Sequence, residues 1–313
     1  MALNLSKTVA DFLKQRAEQK FTARQIAQWV FETYPAECQE KMAKSTAIKS
    51  DSELLQQLVA EIGSQRPLVQ RKHPQIKTTE GRPRQYYWSD KSEQAEVSEA
   101  ESEEPEAVVV PGAEASLKEH DLYPLLSKYL WDEFKIYSKR IDEKRSSNKQ
   151  GAQGNKWLFP DVVGMENLAE DWHPDIKACV KEYADKKTKL WSFEVKLLVN
   201  RSNVRSAFFQ AVSNSSWANF GYLVAGEIEG AATMKELRML SGLHGIGFIQ
   251  LDAENPAESQ ILIPARERQE IDWASCNRLA SENADFQDFV SLVCQFYQTG
   301  KAKPADWDVP KEA

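Results

Sequence analysis

The 313-residue chain has only four cysteines, Cys38, Cys179, Cys276 and Cys294, and no two of them form a C-x-x-C pair. That scatter excludes a zinc ribbon or finger and a disulfide framework, and a reducing, cytoplasmic setting is expected. Histidine is as scarce, and His73, His120, His173 and His244 show no ligand spacing. No apolar run approaches the roughly 18 residues of a membrane-spanning helix, so no membrane partner is expected. The opening MALNLSKTVADFLKQ lacks the basic-then-apolar pattern of a secretory signal. Neither G-x-S-x-G nor H-E-x-x-H occurs. The run GLHGIG from Gly242 precedes an apolar stretch and lacks the Lys-Ser/Thr of a phosphate loop, which leaves it a turn.

What is present is enough apolar material for a sizeable core, 42% of residues including nine Trp. The net charge of −7 is unevenly spread. Residues 1–89 carry 14 Lys and Arg against 9 Asp and Glu, whereas residues 90–116 carry one Lys against nine acids. The overall acidity therefore says little about either flank. Three regions are expected: a domain over 1–90, an acidic flexible linker over 91–115, and a second domain over 116–313. The linker composition, rich in Glu, Ala, Ser and Pro, is too poor in apolar residues to order itself. A sharper reading has it compete with nucleic acid for basic residues upstream.

In the first region Val9, Phe12, Leu13 and Ala17 share a helical face. Thr22 and Gln25 form a capping box, with Phe21 and Ile26 as a hydrophobic staple, and a short helix can follow Pro35. Ser50 and Glu53 form a second box, opening a helix with Leu54, Leu55, Leu58 and Ile62 inward and ending near Gly63. PLVQR and RQYYWS are then expected as two strands joined by a basic loop. Helices followed by such a hairpin resemble a winged helix-turn-helix of the HARE type. The resemblance implies that Arg66, Arg71, Lys72, Lys77, Arg82 and Arg84 contact phosphates of double-stranded DNA. A protein-interaction module is the alternative.

The second region opens with an amphipathic helix carrying Leu122, Leu125, Leu126, Tyr129 and Leu130, with Pro124 in its first turn. KWLFPDVVGM is expected as a strand with Asp161 at its middle. LWSFEVKLLV, from Leu190, is a strand in which Glu194 and Lys196 share one face, opposite Phe193, Val195 and Leu197. Two charges inside an apolar strand are costly without partners, and Asp161 on a neighbouring strand plus a divalent cation would supply them. A helix capped by Ser202, a strand GYLVA, a helix, two more strands and closing helices follow. Together they make a mixed α/β sheet with helices on its faces.

Pro160-Asp161 followed by Glu194-Val195-Lys196 resembles the core of the PD-(D/E)xK nucleases, closest to the restriction endonuclease-like, Mrr-like members. With the winged helix in front, the chain resembles HrgA-like restriction-associated proteins. The resemblance implies a metal-dependent DNA endonuclease in restriction or anti-phage defence, acting alone, as a homodimer or within a defence complex. It implies Mg²⁺ or Mn²⁺ held by Asp161, Glu194 and the Val195 carbonyl, with Lys196 acting on the attacking water. Relatives add an acid from the first helix, for which Glu119 is the candidate and Asp121 and Glu133 are alternatives. Glu119 also fits a capping box with Ser116. Relatives also add a catalytic Gln, here Gln210, whose helix position faces either the cleft or solvent. Arg201 and Arg205 beside it are candidate phosphate contacts. A non-catalytic DNA-binding regulator or scaffold that keeps the nuclease fold is the rival reading.

Overall fold

The computed structural model describes residues 4–43, 45, 48, 50–81, 83–101, 117–148, 155–182 and 187–310. It divides into two compact units, Met1–Ala95 with Ile228–Ala231, and Glu96–Glu227 with Ala232–Ala313.

The first unit contains α1 (Leu5–Gln15), β1 (Phe21–Thr22), α2 (Ala23–Thr33), α3 (Pro35–Ala43), α4 (Asp51–Lys72), β2 (Ile76–Thr78) and β3 (Gln85–Trp88). Its three strands form one antiparallel sheet in the order β1-β3-β2. Both capping boxes form. The Thr22 hydroxyl accepts from the Gln25 N–H while the Gln25 side chain accepts from the Thr22 N–H, and Ser50 and Glu53 repeat the arrangement. Leu13, Ile26, Val30, Leu54 and Leu58 close the core, each fully buried.

Helix α4 departs from expectation. It runs through Gly63 and carries Pro67 inside, so PLVQR is helical and not a strand. Leu54, Leu58, Ile62 and Val69 continue one buried stripe at helical spacing. Each buried side chain contributes about 1.5–3 kcal/mol, against roughly 1 kcal/mol lost at Gly and about 3 at Pro. Arg66, Arg71 and Lys72 therefore lie on a helix and not on a hairpin, whose strands are only β2 and β3. Lys77 lies on β2, Arg84 just before β3, and Arg82 falls outside the described residues.

The acidic segment also departs from the flexible linker expected, because Glu93–Glu101 form a helix, α5, with Val97 buried. Its Glu, Gln and Ala are good helix formers. Residues 102–116, and with them Ser116, lie outside the description.

The second unit continues with α6 (Glu119–Phe134), β4 (Tyr137–Arg140), β5 (Val162–Asn167), α7 (Pro174–Glu182), β6 (Thr188–Val199), α8 (Val204–Asn214) and β7 (Phe220–Ile228). It closes with α9 (Ala231–His244), β8 (Gly247–Gln250), β9 (Gln260–Ile263), α10 (Trp273–Glu282) and α11 (Ala284–Thr299). The six strands form one mixed sheet in the order β4-β5-β6-β7-β8-β9. Strands β4, β5 and β6 are antiparallel neighbours, β7 and β8 are parallel, and β9 returns antiparallel. Alternation divides the core in two. Phe193 and Val195 of β6 pack with Leu122, Leu126 and Leu130 of α6 on one face. Val163 and Met165 of β5 pack with Phe286 and Phe289 of α11 on the other.

Three local expectations give way here. Strand β4 adds to the expected elements; α6 ends at Lys135 in the left-handed conformation (φ 53°) with no glycine to mark the stop. Pro124 falls in the second turn of α6, not the first. Asn203 and not Ser202 precedes α8, and the Ser202 hydroxyl instead donates to Asn200.

Burial makes a prediction about the thiols. Cys38 and Cys276 are buried, and burial pushes the Cys276 thiol up to about 12, whereas Cys179 and Cys294 are exposed. Two thiols should react with a disulfide reagent in the native protein and four in denaturant. Fast reaction of all four in buffer would contradict this packing.

Candidate active site

Asp161 does not sit mid-strand. It precedes β5, because residues 155–157 form a 3₁₀ turn and only Val162 onward pairs as strand. Register nevertheless carries it to β6. Val162 lies opposite Phe193, and the Asp161 N–H donates to the Phe193 carbonyl at 3.1 Å. The Asp161 carboxylate then accepts from the Val195 N–H at 2.7 Å. The long excursion between the two strands, which includes α7, leaves them adjacent.

Glu194 and Lys196 do share a face of β6. The Lys196 ammonium donates to Glu194 Oε1 at 2.8 Å and to the Val195 carbonyl at 2.9 Å, with Glu119 Oε2 at 3.8 Å. Glu194 is 1% exposed and Lys196 5%. The second oxygen of Glu194 accepts from Asn214 Nδ2 at 2.8 Å. Asn214, in the last turn of α8, also donates to the carbonyls of Phe159 and Lys156 at 2.9 and 3.1 Å. One amide thus ties Glu194 to the segment that leads into Asp161.

Glu119 begins α6, whose first turn is closed by the Asp121 carboxylate accepting from the Lys118 N–H at 2.8 Å. The Tyr123 hydroxyl, one turn on, bridges Glu119 Oε1 at 3.3 Å and Asp161 Oδ1 at 3.4 Å. Burial raises the Tyr123 phenol and the charges of Asp161 and Glu119 raise it further, so it stays a donor. The guanidinium of Arg140 lies over its ring, 4.8 Å from the centroid. These groups open on a cleft of about 510 Å³ that Gln210 and Lys156 also line.

The electrostatics follow from counting charges. Glu119, Asp161 and Glu194 surround a single buried ammonium. Burial and then Asp161 push Glu194 up to about 8. Glu119 rises to about 7, through burial opposed by Lys196 and reinforced by Asp161. Burial alone would lower the Lys196 ammonium, but the carboxylates more than reverse it, so it stays charged. The cluster is short of positive charge.

The remaining expected residues divide. Gln210 is buried at the cleft, its amide donating to the Lys156 carbonyl at 2.9 Å while its own oxygen has no partner among the described residues. Arg201 and Arg205 do not line the cleft, and Arg205 pairs with Glu236 at 2.6 Å. In the first unit Arg66 and Arg84 are both paired with Glu80, whose side chain is 6% exposed, at 3.3 and 2.8 Å. Asn214, Tyr123 and Arg140 are not among the residues that sequence reasoning selects. Asn214 follows Gln210 at i+4 and so shares its helix face, a signal that sequence does carry.

Whether a divalent cation fits can be judged from the donors. Among the described residues no group of three or more His, Cys, Asp and Glu stands ready as a metal cage. The Lys196 ammonium, however, occupies the point where Glu194 and the Val195 carbonyl converge, with Glu119 behind. These are hard oxygens around a cation and in need of more positive charge, which suits Mg²⁺ or Mn²⁺. The residues fit. No family model, curated protein or solved structure matches this chain.

The ion pair predicts an asymmetric response to mutation. Lys196→Ala should destabilise by about 3–5 kcal/mol in urea unfolding, because it strands a buried carboxylate. Lys196→Met combined with Glu194→Met should recover most of that loss. Equal instability of the single and double variants would show that the pair is not what the site depends on.

Proposed function

We propose that the chain is a metal-dependent DNA endonuclease of the PD-(D/E)xK type with an N-terminal winged helix-turn-helix, serving restriction or anti-phage defence. The observation that carries the reading is the meeting of Asp161, Glu194 and Lys196 across the β5–β6 pairing, with Asp161 and Lys196 lining a cleft and Glu194 buried behind them. The defence setting follows from the resemblance alone.

Asp161, Glu194 and the Val195 carbonyl would hold Mg²⁺ or Mn²⁺, with Glu119 as a further ligand. The bound ion supplies a water of lowered pKa and neutralises charge on the phosphate. Lys196 keeps its proton, and its ammonium orients the attacking water or stabilises the developing oxyanion. Tyr123 holds Asp161 and Glu119 through one protonated hydroxyl. Asn214 fixes the second oxygen of Glu194 and Gln210 lines the wall.

Order and pairing in the first unit support the winged reading, since a short strand after the first helix pairs with the last strand of the hairpin. Arg71 and Lys72, exposed at the end of α4, are the cations best placed for phosphates; Arg66 and Arg84 are held by Glu80.

A second reading is a non-catalytic DNA-binding regulator or scaffold. It is favoured by one observation: both oxygens of Glu194 are already satisfied, as in a structural ion pair.

Plasmid cleavage separates the two. Wild type should cut modified or unmodified DNA with Mg²⁺ or Mn²⁺ and not with EDTA, and Asp161→Asn should slow cutting by about a hundredfold or more. Cutting that ignores EDTA and Asp161→Asn would sink the mechanism. DNA retained at low salt without cutting on any substrate would select the regulator. Replacing Arg71 and Lys72 by Ala should lower the slope of log affinity against log salt by about 1 for each phosphate no longer neutralised. An unchanged slope would place DNA elsewhere on the chain.

A further inference from the structure

Arg140 is a cation at the cleft to which the proposed reaction assigns no task. It ends β4 opposite Val162, and the next residue, Ile141, donates its N–H to the Asp161 carbonyl at 2.9 Å. The backbone therefore fixes Arg140 beside the metal-binding carboxylate proposed above. Its guanidinium lies on the Tyr123 ring, whose hydroxyl touches both Asp161 and Glu119. Two other arginines of this unit are occupied: Arg145 pairs with Asp285 and Arg205 with Glu236. The Arg140 guanidinium makes no ion pair or hydrogen bond among the described residues, although acidic groups stand close by and its own backbone N–H donates to the Asp308 carboxylate at 2.7 Å. A ring beneath a guanidinium attracts it without consuming its N–H donors. The result is a cation with its donors unspent, lining the cleft next to the cluster of acids.

An anionic substrate entering that cleft meets five lining carboxylates, and although lysines line the cleft too, Arg140 is the cation whose neighbour is bonded through the backbone to Asp161. A phosphodiester spreads one charge over two non-bridging oxygens, which match the two parallel N–H donors of a guanidinium. We propose that Arg140, held over the Tyr123 ring, is a catalytic residue that grips the non-bridging oxygens of the substrate phosphodiester beside Asp161. This inference rests on the nuclease reading of the same cleft. Tyr123 serves it as a positioning residue.

The test uses the full chain and thymidine dinucleotide, a probe with a single phosphodiester. Titration in EDTA, followed by broadening of the probe's phosphorus resonance, reads binding without cleavage. Arg140→Gln should weaken binding about tenfold, the scale of one charge-assisted hydrogen bond. Arg140→Lys, which keeps the charge and loses the fork, should fall in between, and Tyr123→Leu should match Arg140→Gln. Arg238→Gln, an exposed cation on α9, should bind like wild type. Thermal melts of each variant establish that it is folded. Equal binding by Arg140→Gln and wild type, an equal loss in Arg238→Gln, or no binding by wild type would overturn the proposal. Wild type that binds the dinucleotide through Arg140 and cuts no DNA would support this subsite while overturning the nuclease reading. Wild type that cuts plasmid DNA at a rate Arg140→Gln leaves unchanged would overturn the subsite alone.

Discussion

A charged ammonium enclosed in the second unit is the constraint from which the surrounding structure can be derived. Removing an ammonium or a carboxylate from water costs several kcal/mol per ion even after relaxation. Lys196 is tolerable inside the unit because Glu194 and the Val195 carbonyl accept its protons at hydrogen-bond distance. Glu194 must in turn satisfy a second oxygen, and Asn214 does so from the end of α8. Asn214 has further acceptors in the carbonyls of Lys156 and Phe159, so the path of the chain into Asp161 is drawn to the same point. One buried cation thereby links β6, α8 and the segment before β5.

Asp161 completes the arrangement by a different route. Its carboxylate binds the Val195 N–H, where the β5 ladder has not yet begun. Its side chain thus stands in for a ladder hydrogen bond and turns outward to the cleft. The same neighbourhood holds Glu119 at the start of α6, leaving more negative than positive charge on a shared buried site. A site with that imbalance has a use for a cation from outside, and an arginine at its entrance has a use for an anion. Those two needs are what the proposed phosphodiester reading rests on.

The first unit is organised mainly by packing. Its long helix α4 keeps one buried stripe across a glycine and a proline, and that stripe determines where the basic residues fall. Glu80, its side chain largely covered, takes up Arg66 and Arg84. Basic character in the sequence therefore overstates the charge available to a partner there.

Local signals are legible in the chain itself. The capping boxes at Thr22 and Ser50, the alternation that places Glu194 and Lys196 on one face, and the order of helices and strands around them depend on neighbours a few residues apart. Strand β4, the continuation of α4 through Pro67, the helix at 93–101 and the partners Asn214, Tyr123 and Arg140 are not legible in the same way. A four-residue strand has too few residues to show a period, and a helix stop at Lys135 carries no glycine. Whether burial outweighs a proline depends on what packs against the helix, and whether an arginine is spent depends on which carboxylate lies within reach. Sequence by itself determined the charged pair on an apolar strand and the helix starts at Thr22 and Ser50, because backbone geometry over a few residues decides those. Tertiary structure alone decided which strand adjoins β6, which side chains close on Glu194 and which cations stay open, because hydrogen bonds and Coulomb forces act over distances that only folding makes short.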